Sequence, residues 1–217
     1  MNARWVVGLT LMLSLGGTSA VAADELPTKD KPLVVDKVHQ RVLIYTETHP
    51  MRLYMPNVHW GIVFKDGKMQ DRAILRSWAG ALEVHDALVE IGAKPGNNLN
   101  RETLGKAVAG DELTVTASWA GAGREVPLSE LFTDEAGKGF QIRFGGNRPA
   151  AAETRTGCIV CLESCWASIA SNAAYPQNTG EKIYSQPNSL FKGNVKVLPT
   201  KDDAPVIVTL SLKPGRK

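Results

Sequence analysis

The chain has 217 residues, of which 43% are hydrophobic and 22% charged, and its formal net charge is +3. This length suits a single domain with a sizeable hydrophobic core. Lysine and arginine are scattered and form no basic stripe interleaved with aromatic residues, so the composition argues against nucleic-acid binding.

The first 23 residues show the three-part pattern of a secretory signal peptide. Arg4 supplies the one positive charge, residues 5–15 form an uncharged apolar run, and residues 16–23 are mostly small. The apolar run is too short for a membrane-spanning helix, which needs ~20 residues. We therefore predict cleavage after this segment and export of a soluble chain, without a membrane span, to the periplasm.

A polar leader over 24–31 precedes the region 32–217, which is predicted to be one domain with a loop-rich, cysteine-containing segment over 146–190. Asp66-Gly67 lies between two apolar runs and predicts a β-hairpin, because both central turn positions favour positive φ. Short β-branched or alternating runs predict strands over 33–35, 41–46, 57–64, 73–78, 113–119, 139–144, 195–198 and 206–212.

One segment changes to helical spacing. Apolar residues recur at intervals of three and four between Leu82 and Val89, which predicts a helix over 79–91 that Gly92 ends. A single further helical turn is expected over 127–132. Many short strands with one main helix indicate an α+β fold, a β-rich domain of mostly antiparallel strands.

Three segments in the middle of the chain carry a family resemblance: Asp71-Arg72-Ala73-Ile74-Leu75, Val84-His85-Asp86-Ala87-Leu88 and Ile91-Gly92-Ala93-Lys94-Pro95-Gly96. Their order resembles that of the YdjY-domain family of exported bacterial proteins, over about residues 32–185. The resemblance implies a secreted or periplasmic domain whose biochemical role is unassigned. Some members are described as ferredoxin-like iron–sulfur proteins, so the resemblance also raises the question of a cluster.

The three cysteines, Cys158, Cys161 and Cys165, follow the spacing C-x2-C-x3-C. This matches the last three ligands of the bacterial ferredoxin run C-x2-C-x2-C-x3-C-P. The first ligand position is occupied by Arg155, and Trp166 stands where the proline would be. The pattern is therefore a ferredoxin run that lacks one ligand.

Four interpretations of the cysteines stay open. A chain exported unfolded carries its thiols into an oxidising compartment, so we expect one disulfide, either Cys158–Cys165 or Cys158–Cys161, with one thiol left over. The alternatives are an iron–sulfur cluster, a zinc ion completed by histidine, and reduced cysteines with a packing role. Glu163, between the second and third cysteines, is expected to be a solvated acid.

His85 lies on the apolar face of the predicted helix. We expect it to be partly buried and hydrogen-bonded, and its alternative role is a metal ligand or an acid–base group near Asp86. His39, His49 and His59 match no metal-ligand spacing. We expect these three at the surface or at strand edges.

Sequence motifs do not assemble a nucleophile, a base and an orienting group. The chain has no G-x-S-x-G nucleophile elbow, and its Gly-x-Gly patterns lack the following helix and lysine of a phosphate-binding loop. The sequence therefore leans away from an enzyme and predicts a non-enzymatic binding or accessory module with a protein partner in the periplasm. The alternative is an iron–sulfur or thiol redox protein that acts through the three cysteines.

Overall fold

The computed structural model describes residues 25–55, 59–179, 191–201 and 203–213. The predicted signal peptide, residues 1–23, lies outside these ranges. The strands in the described part of the chain are β1 (Leu33–Asp36), β2 (Arg41–Thr48), β3 (Trp60–Phe64), β4 (Leu75–Ser77), β5 (Leu113–Ser118), β6 (Val126–Pro127), β7 (Phe132–Asp134), β8 (Ile142–Phe144), β9 (Cys158–Cys161), β10 (Ala170–Asn172), β11 (Phe191–Gly193) and β12 (Pro205–Leu212).

In the residues that the structure describes, helices are few and short. They are α1 (Pro50–Leu53), α2 (Ala81–Glu90), α3 (Leu128–Leu131) and α4 (Arg148–Thr154), with a 3-10 turn at Gln70–Arg72. The protein is thus mostly β, and α2 is the main helix that the sequence predicts. Within the described ranges, no helix is long and apolar enough to cross a membrane.

Ten of the described strands form one mixed, curled sheet in the order β6-β5-β12-β2-β4-β3-β9-β10-β8, with β1 paired to β2. Most neighbours are antiparallel, while β3 pairs with β4 and β9 pairs with β10 in parallel. β7 and β11 form a separate two-stranded sheet. The long strands β2 and β12 pair along nearly their whole lengths, which makes them the centre of the fold.

The core divides between two faces of the sheet near β3 and β9. Ile62 of β3 and Val160 of β9 belong to the main core, where they are fully buried. Val63 of β3 packs in a smaller cluster with Ala73 and two of the cysteines. Since successive strand residues point to opposite faces, this smaller cluster covers the side of the sheet away from the main core.

The hairpin predicted at Asp66-Gly67 is wrong, because β3 and β4 run parallel. Glycine is required at position 67 for another reason, because a Cβ there would lie 2.6 Å from the Cα of Gly157. Gly157 has φ +78, and a Cβ on it would lie 2.7 Å from the Cα of Gly67. The two glycines therefore let the turn after β3 touch the backbone that leads into β9.

Two other predictions fail in the second half of the chain. Residues 195–198 form a turn rather than a strand. The segment predicted to be loop-rich holds α4 as well as β9 and β10. Asn147 caps α4 by accepting a hydrogen bond from the backbone N–H of Ala150 at 3.3 Å, and Arg155 ends it in the left-handed conformation.

Helix α2 lies close to its predicted limits, and Gly92 follows it with φ +93 as expected. Its buried face is rotated from the prediction, since Val84 is fully buried while Val89 is 47% exposed. The helix begins at Gly80, whose backbone N–H donates to Glu83 at 2.7 Å.

Candidate metal centre

Two cysteines share one face of β9 although they are three positions apart. In a regular strand such positions point to opposite faces. The register between β3 and β9 shifts between Val160 and Cys158, which leaves Ile159 bulged. As a result Cys158 and Cys161 pack together in the smaller cluster, while Ile159 and Val160 face the main core.

Cys165 stands in the connection between the parallel strands β9 and β10, residues 162–169. This connection is shorter than the dozen or more residues that usually join parallel strands. The backbone N–H of Cys165 donates to Oγ of Ser171 at 3.2 Å. The hydroxyl of Ser164 accepts from one backbone N–H and donates to one backbone carbonyl, both at 3.0 Å. The loop therefore holds Cys165 in one place.

His59 reaches the cysteines through the pairing of β3 with β9. It directly precedes β3, and its carbonyl accepts from the backbone N–H of Leu162 at 2.7 Å, directly after β9. Its ring packs on Trp60 with 4.3 Å between centroids, and its side chain is 16% exposed. The sequence does not single out His59, since no local pattern signals a contact between positions so far apart in the chain.

A ring nitrogen of His59 and the sulfur atoms of Cys161 and Cys165 all lie within 4.8 Å of one another. Cys161 is close to both other cysteines: it packs with Cys158 in the smaller cluster, and its sulfur lies within 4.8 Å of that of Cys165. Cys158 is not part of the set that meets the 4.8 Å distance. All three cysteines are free thiols, so the structure does not contain the disulfide that the sequence predicts.

Glu163 completes the surroundings of His59. It is only 3% exposed, so the expectation of a solvated acid is wrong. Its Oε1 lies 2.9 Å from Nδ1 of His59, a distance that suits an ion pair, although the angle is not that of a directed hydrogen bond. A carboxylate beside a metal-bound histidine raises its basicity, and Glu163 acts in the same direction by raising the pKa of His59.

The thiols and the imidazole shift one another's pKa. Hydrogen bonding with Cys161, together with the charge of His59, outweighs burial and lowers the pKa of Cys165 to about 6. Hydrogen bonds with the other two thiols, and burial, raise the pKa of Cys161 well above its usual value. Burial lowers the pKa of His59, but the contacts with Glu163 and Cys165 overcome this and raise it. Without a metal, the cluster favours a thiolate at Cys165 beside a charged imidazole.

A surface cavity of about 200 Å³ borders the cluster, and His59, Glu163 and Cys165 are among its lining residues. Arg101 and Trp166 also line it, with the guanidinium 5.0 Å from the centroid of the indole ring. The other two cysteines are at most 2% exposed. Cys165 is therefore the thiol that small molecules reach.

The donors fit one metal ion. Two sulfurs bound to the same tetrahedral zinc ion stand about 3.8 Å apart, given Zn–S bonds of about 2.3 Å. The observed separations, within 4.8 Å, need only a small contraction to reach this geometry.

A four-iron cluster does not fit the same donors. Its cysteines bind different irons and must stand farther apart than ligands of one ion, whereas the sulfurs of Cys161 and Cys165 lie within 4.8 Å of each other. Val63 and Ala73 pack directly on Cys158 and Cys161, which leaves no space for a cluster on that side.

The other histidines lie elsewhere. His85 is 7% exposed, and its ring nitrogens lie 2.9 Å from Oδ1 of Asp86 and 3.1 Å from the carbonyl oxygen of Gly146. It matches the predicted buried, hydrogen-bonded role and does not approach the cysteines. His39 is exposed and contacts an aspartate. His49 occupies the N-cap position of α1 without a side-chain cap bond, and its Nδ1 lies 3.1 Å from the carbonyl oxygen of Ala73.

Fold and site together define a mostly β domain that brings a cysteine–histidine cluster to the edge of a surface cavity. The family model of the YdjY domain matches residues 33–211, and the chain belongs to this family. It is 36% identical over 188 residues to the protein called "Uncharacterized protein YdjY" of Escherichia coli (strain K12), covering 85% of this chain and 80% of that protein. No solved structure matches the chain.

Proposed function

We propose that this protein is an exported, non-enzymatic binding module that holds one thiophilic metal ion at His59, Cys161 and Cys165. The observation that carries the proposal is the convergence of two sulfurs and a ring nitrogen within 4.8 Å. Thiolate and imidazole ligands favour ions such as Zn²⁺ and Cu⁺ over Mg²⁺ or Ca²⁺. Two thiolates and a neutral imidazole would leave a bound divalent ion without net charge, which suits the apolar surroundings.

Export to the periplasm is the second part of the proposal, and the three-part pattern of residues 1–23 supports it. Intact-mass analysis of protein recovered from the periplasm tests it. We expect a mature chain that begins at Ala23 or Asp24. A product that retains Met1 would contradict export by a cleaved signal peptide.

Metal binding is tested on protein purified from the periplasm under reducing conditions and without chelators. We expect one ion per chain by elemental analysis, and a matching stoichiometry when metal-free protein is titrated with Zn²⁺. Cys161→Ser, Cys165→Ser and His59→Gln should each lose most of the affinity, while the exposed control His39→Gln should keep it. Wild-type protein that takes up no ion would refute the proposal.

A second candidate function is thiol–disulfide exchange, which the proximity of the Cys161 and Cys165 sulfurs, within 4.8 Å, favours. The Cys165 thiolate would attack a substrate disulfide and release one thiolate. Cys161 would then displace the second thiolate and leave a Cys161–Cys165 disulfide. Equilibration of metal-free protein in glutathione redox buffers distinguishes the two functions, because a metal-binding role predicts no cycle with substrate disulfides.

A further inference from the structure

We infer that the metal centre is open: His59, Cys161 and Cys165 supply three ligands, and the fourth position faces the cavity and takes an exogenous anion in place of water. Cys158 is not a ligand in this arrangement. The inference rests on the proposed metal binding and adds the class of molecule that the site recognises. Three protein ligands with one exchangeable position distinguish reactive zinc sites from closed structural ones.

The position of Cys158 supports three protein ligands rather than four. Its sulfur is not among the donor atoms that lie within 4.8 Å of one another. Its thiol instead packs against Val63 and Ala73 in the apolar cluster, where Cys158 is 2% exposed.

The location of the cavity indicates on which side of the ion the fourth ligand position lies. His59 and Cys165 both line it, whereas the fully buried Cys161 does not. An ion held by these three residues is therefore covered by protein on the Cys161 side. It is accessible on the side of the cavity, whose volume of about 200 Å³ admits a small ligand.

The charges around the cavity favour an anion. Among the described residues that line it, Arg101 is the permanent cation, and the one acid, Glu163, already lies against His59. Arg101 also pairs with Glu153 at 3.3 Å, but both side chains are exposed and such a surface pair is weak, so an incoming anion can replace it. The Arg101 guanidinium rests over the ring of Trp166, 5.0 Å from its centroid, which keeps the charge at the rim. Guanidinium groups bind anionic oxygens and related acceptors through charge-assisted hydrogen bonds.

Cobalt(II) substitution tests the ligand set. The intensity of thiolate-to-cobalt charge-transfer absorption scales with the number of bound sulfurs. The absorption should therefore correspond to two bound thiolates in the wild-type protein and also in Cys158→Ser. In Cys161→Ser and in Cys165→Ser, the absorption should correspond to at most one bound thiolate. A third thiolate in the wild type that disappears in Cys158→Ser would overturn the inference, because the site would then be closed.

Exogenous ligands test the open position. Thiocyanate should shift the visible d–d bands of the cobalt protein. Arg101→Gln should weaken the binding of thiocyanate roughly three- to tenfold, which is the loss expected for one partly screened charge-assisted hydrogen bond. Imidazole, a neutral donor, should bind with unchanged affinity. The control Arg124→Gln removes an arginine of similar exposure away from the cavity.

The outcomes separate the inference from the proposed function on which it depends. Cobalt that does not bind at all contradicts metal binding itself. If cobalt binds through two thiolates but neither thiocyanate nor imidazole changes its spectrum, only the open position is contradicted. An equal effect of Arg101→Gln on both ligands contradicts recognition of an anion.

Discussion

The Oε1 atom of Glu163 lies 2.9 Å from Nδ1 of His59. A carboxylate that is 3% exposed needs a charged or strongly polar partner, because its burial is otherwise costly. The imidazole is such a partner, and its position beside two thiols makes the contact part of the metal centre.

Glu163→Gln should therefore weaken Zn²⁺ binding about 10- to 100-fold, as loss of an outer-shell carboxylate does at other zinc sites. The dissociation constant is measured by competition with a chromophoric chelator. The matched control is Glu135→Gln, which removes an exposed acid paired with Lys192 at 3.2 Å, away from the cavity. If both variants bind Zn²⁺ as the wild type does, Glu163 does not support the site.

The reactivity of Cys165 should depend on pH in the metal-free, reduced protein. Its pKa of about 6 means that the thiolate fraction, and with it the rate of alkylation by iodoacetamide, rises with pH and reaches half its maximum near pH 6. His59→Gln removes a neighbouring positive charge and should move this midpoint upward, while His39→Gln should not. Peptide mass spectrometry follows the modification at each cysteine. A midpoint at the ordinary thiol value in the wild type would contradict this electrostatic description.

The contact between Gly67 and Gly157 should be sensitive to a single methyl group. In Gly67→Ala the new Cβ would lie 2.6 Å from both the Cα of Gly157 and the carbonyl oxygen of Thr156, so the backbone must move. We expect a loss of about 1–3 kcal/mol in the free energy of unfolding, measured in urea. Gly80→Ala is the control, since its nearest neighbour is the flexible end of Glu83 at 3.1 Å. Equal losses in the two variants would argue against the close approach.

Replacement of His85 should affect stability but not metal binding. His85→Leu leaves the carbonyl of Gly146 without its 3.1 Å partner and should cost about 1–3 kcal/mol. Its Zn²⁺ dissociation constant should match that of the wild type. A large loss of affinity with an intact fold would show that His85 contributes to the centre after all.

Local signals in the sequence predicted the parts of the fold that depend on local structure. β-branched and alternating runs located β1, β2, β5 and β12, and helical spacing located α2 and its end at Gly92. The direction of β4 relative to β3 was wrong, because Asp-Gly forms a hairpin turn only between antiparallel strands, and β3 and β4 pair in parallel.

The candidate site was predicted only in part for the same reason. The cysteine spacing identified Cys158, Cys161 and Cys165, but it did not show which of them converge. That depends on the bulge at Ile159, which no spacing rule predicts. His59 joins the cysteines only through the pairing of β3 with β9, a long-range contact, so its own neighbours in sequence carry no metal-ligand pattern.

X-ray absorption spectroscopy at the zinc edge of the Zn²⁺-loaded protein tests the central claim most directly, because it counts the atoms bound to the ion. We predict two sulfur atoms at about 2.3 Å, one imidazole nitrogen at about 2.0 Å and one further light atom. In His59→Gln the imidazole scattering should disappear while the sulfur count stays at two. A zinc ion surrounded only by oxygen and nitrogen, in protein whose three thiols remain reduced, would contradict a metal centre at His59, Cys161 and Cys165.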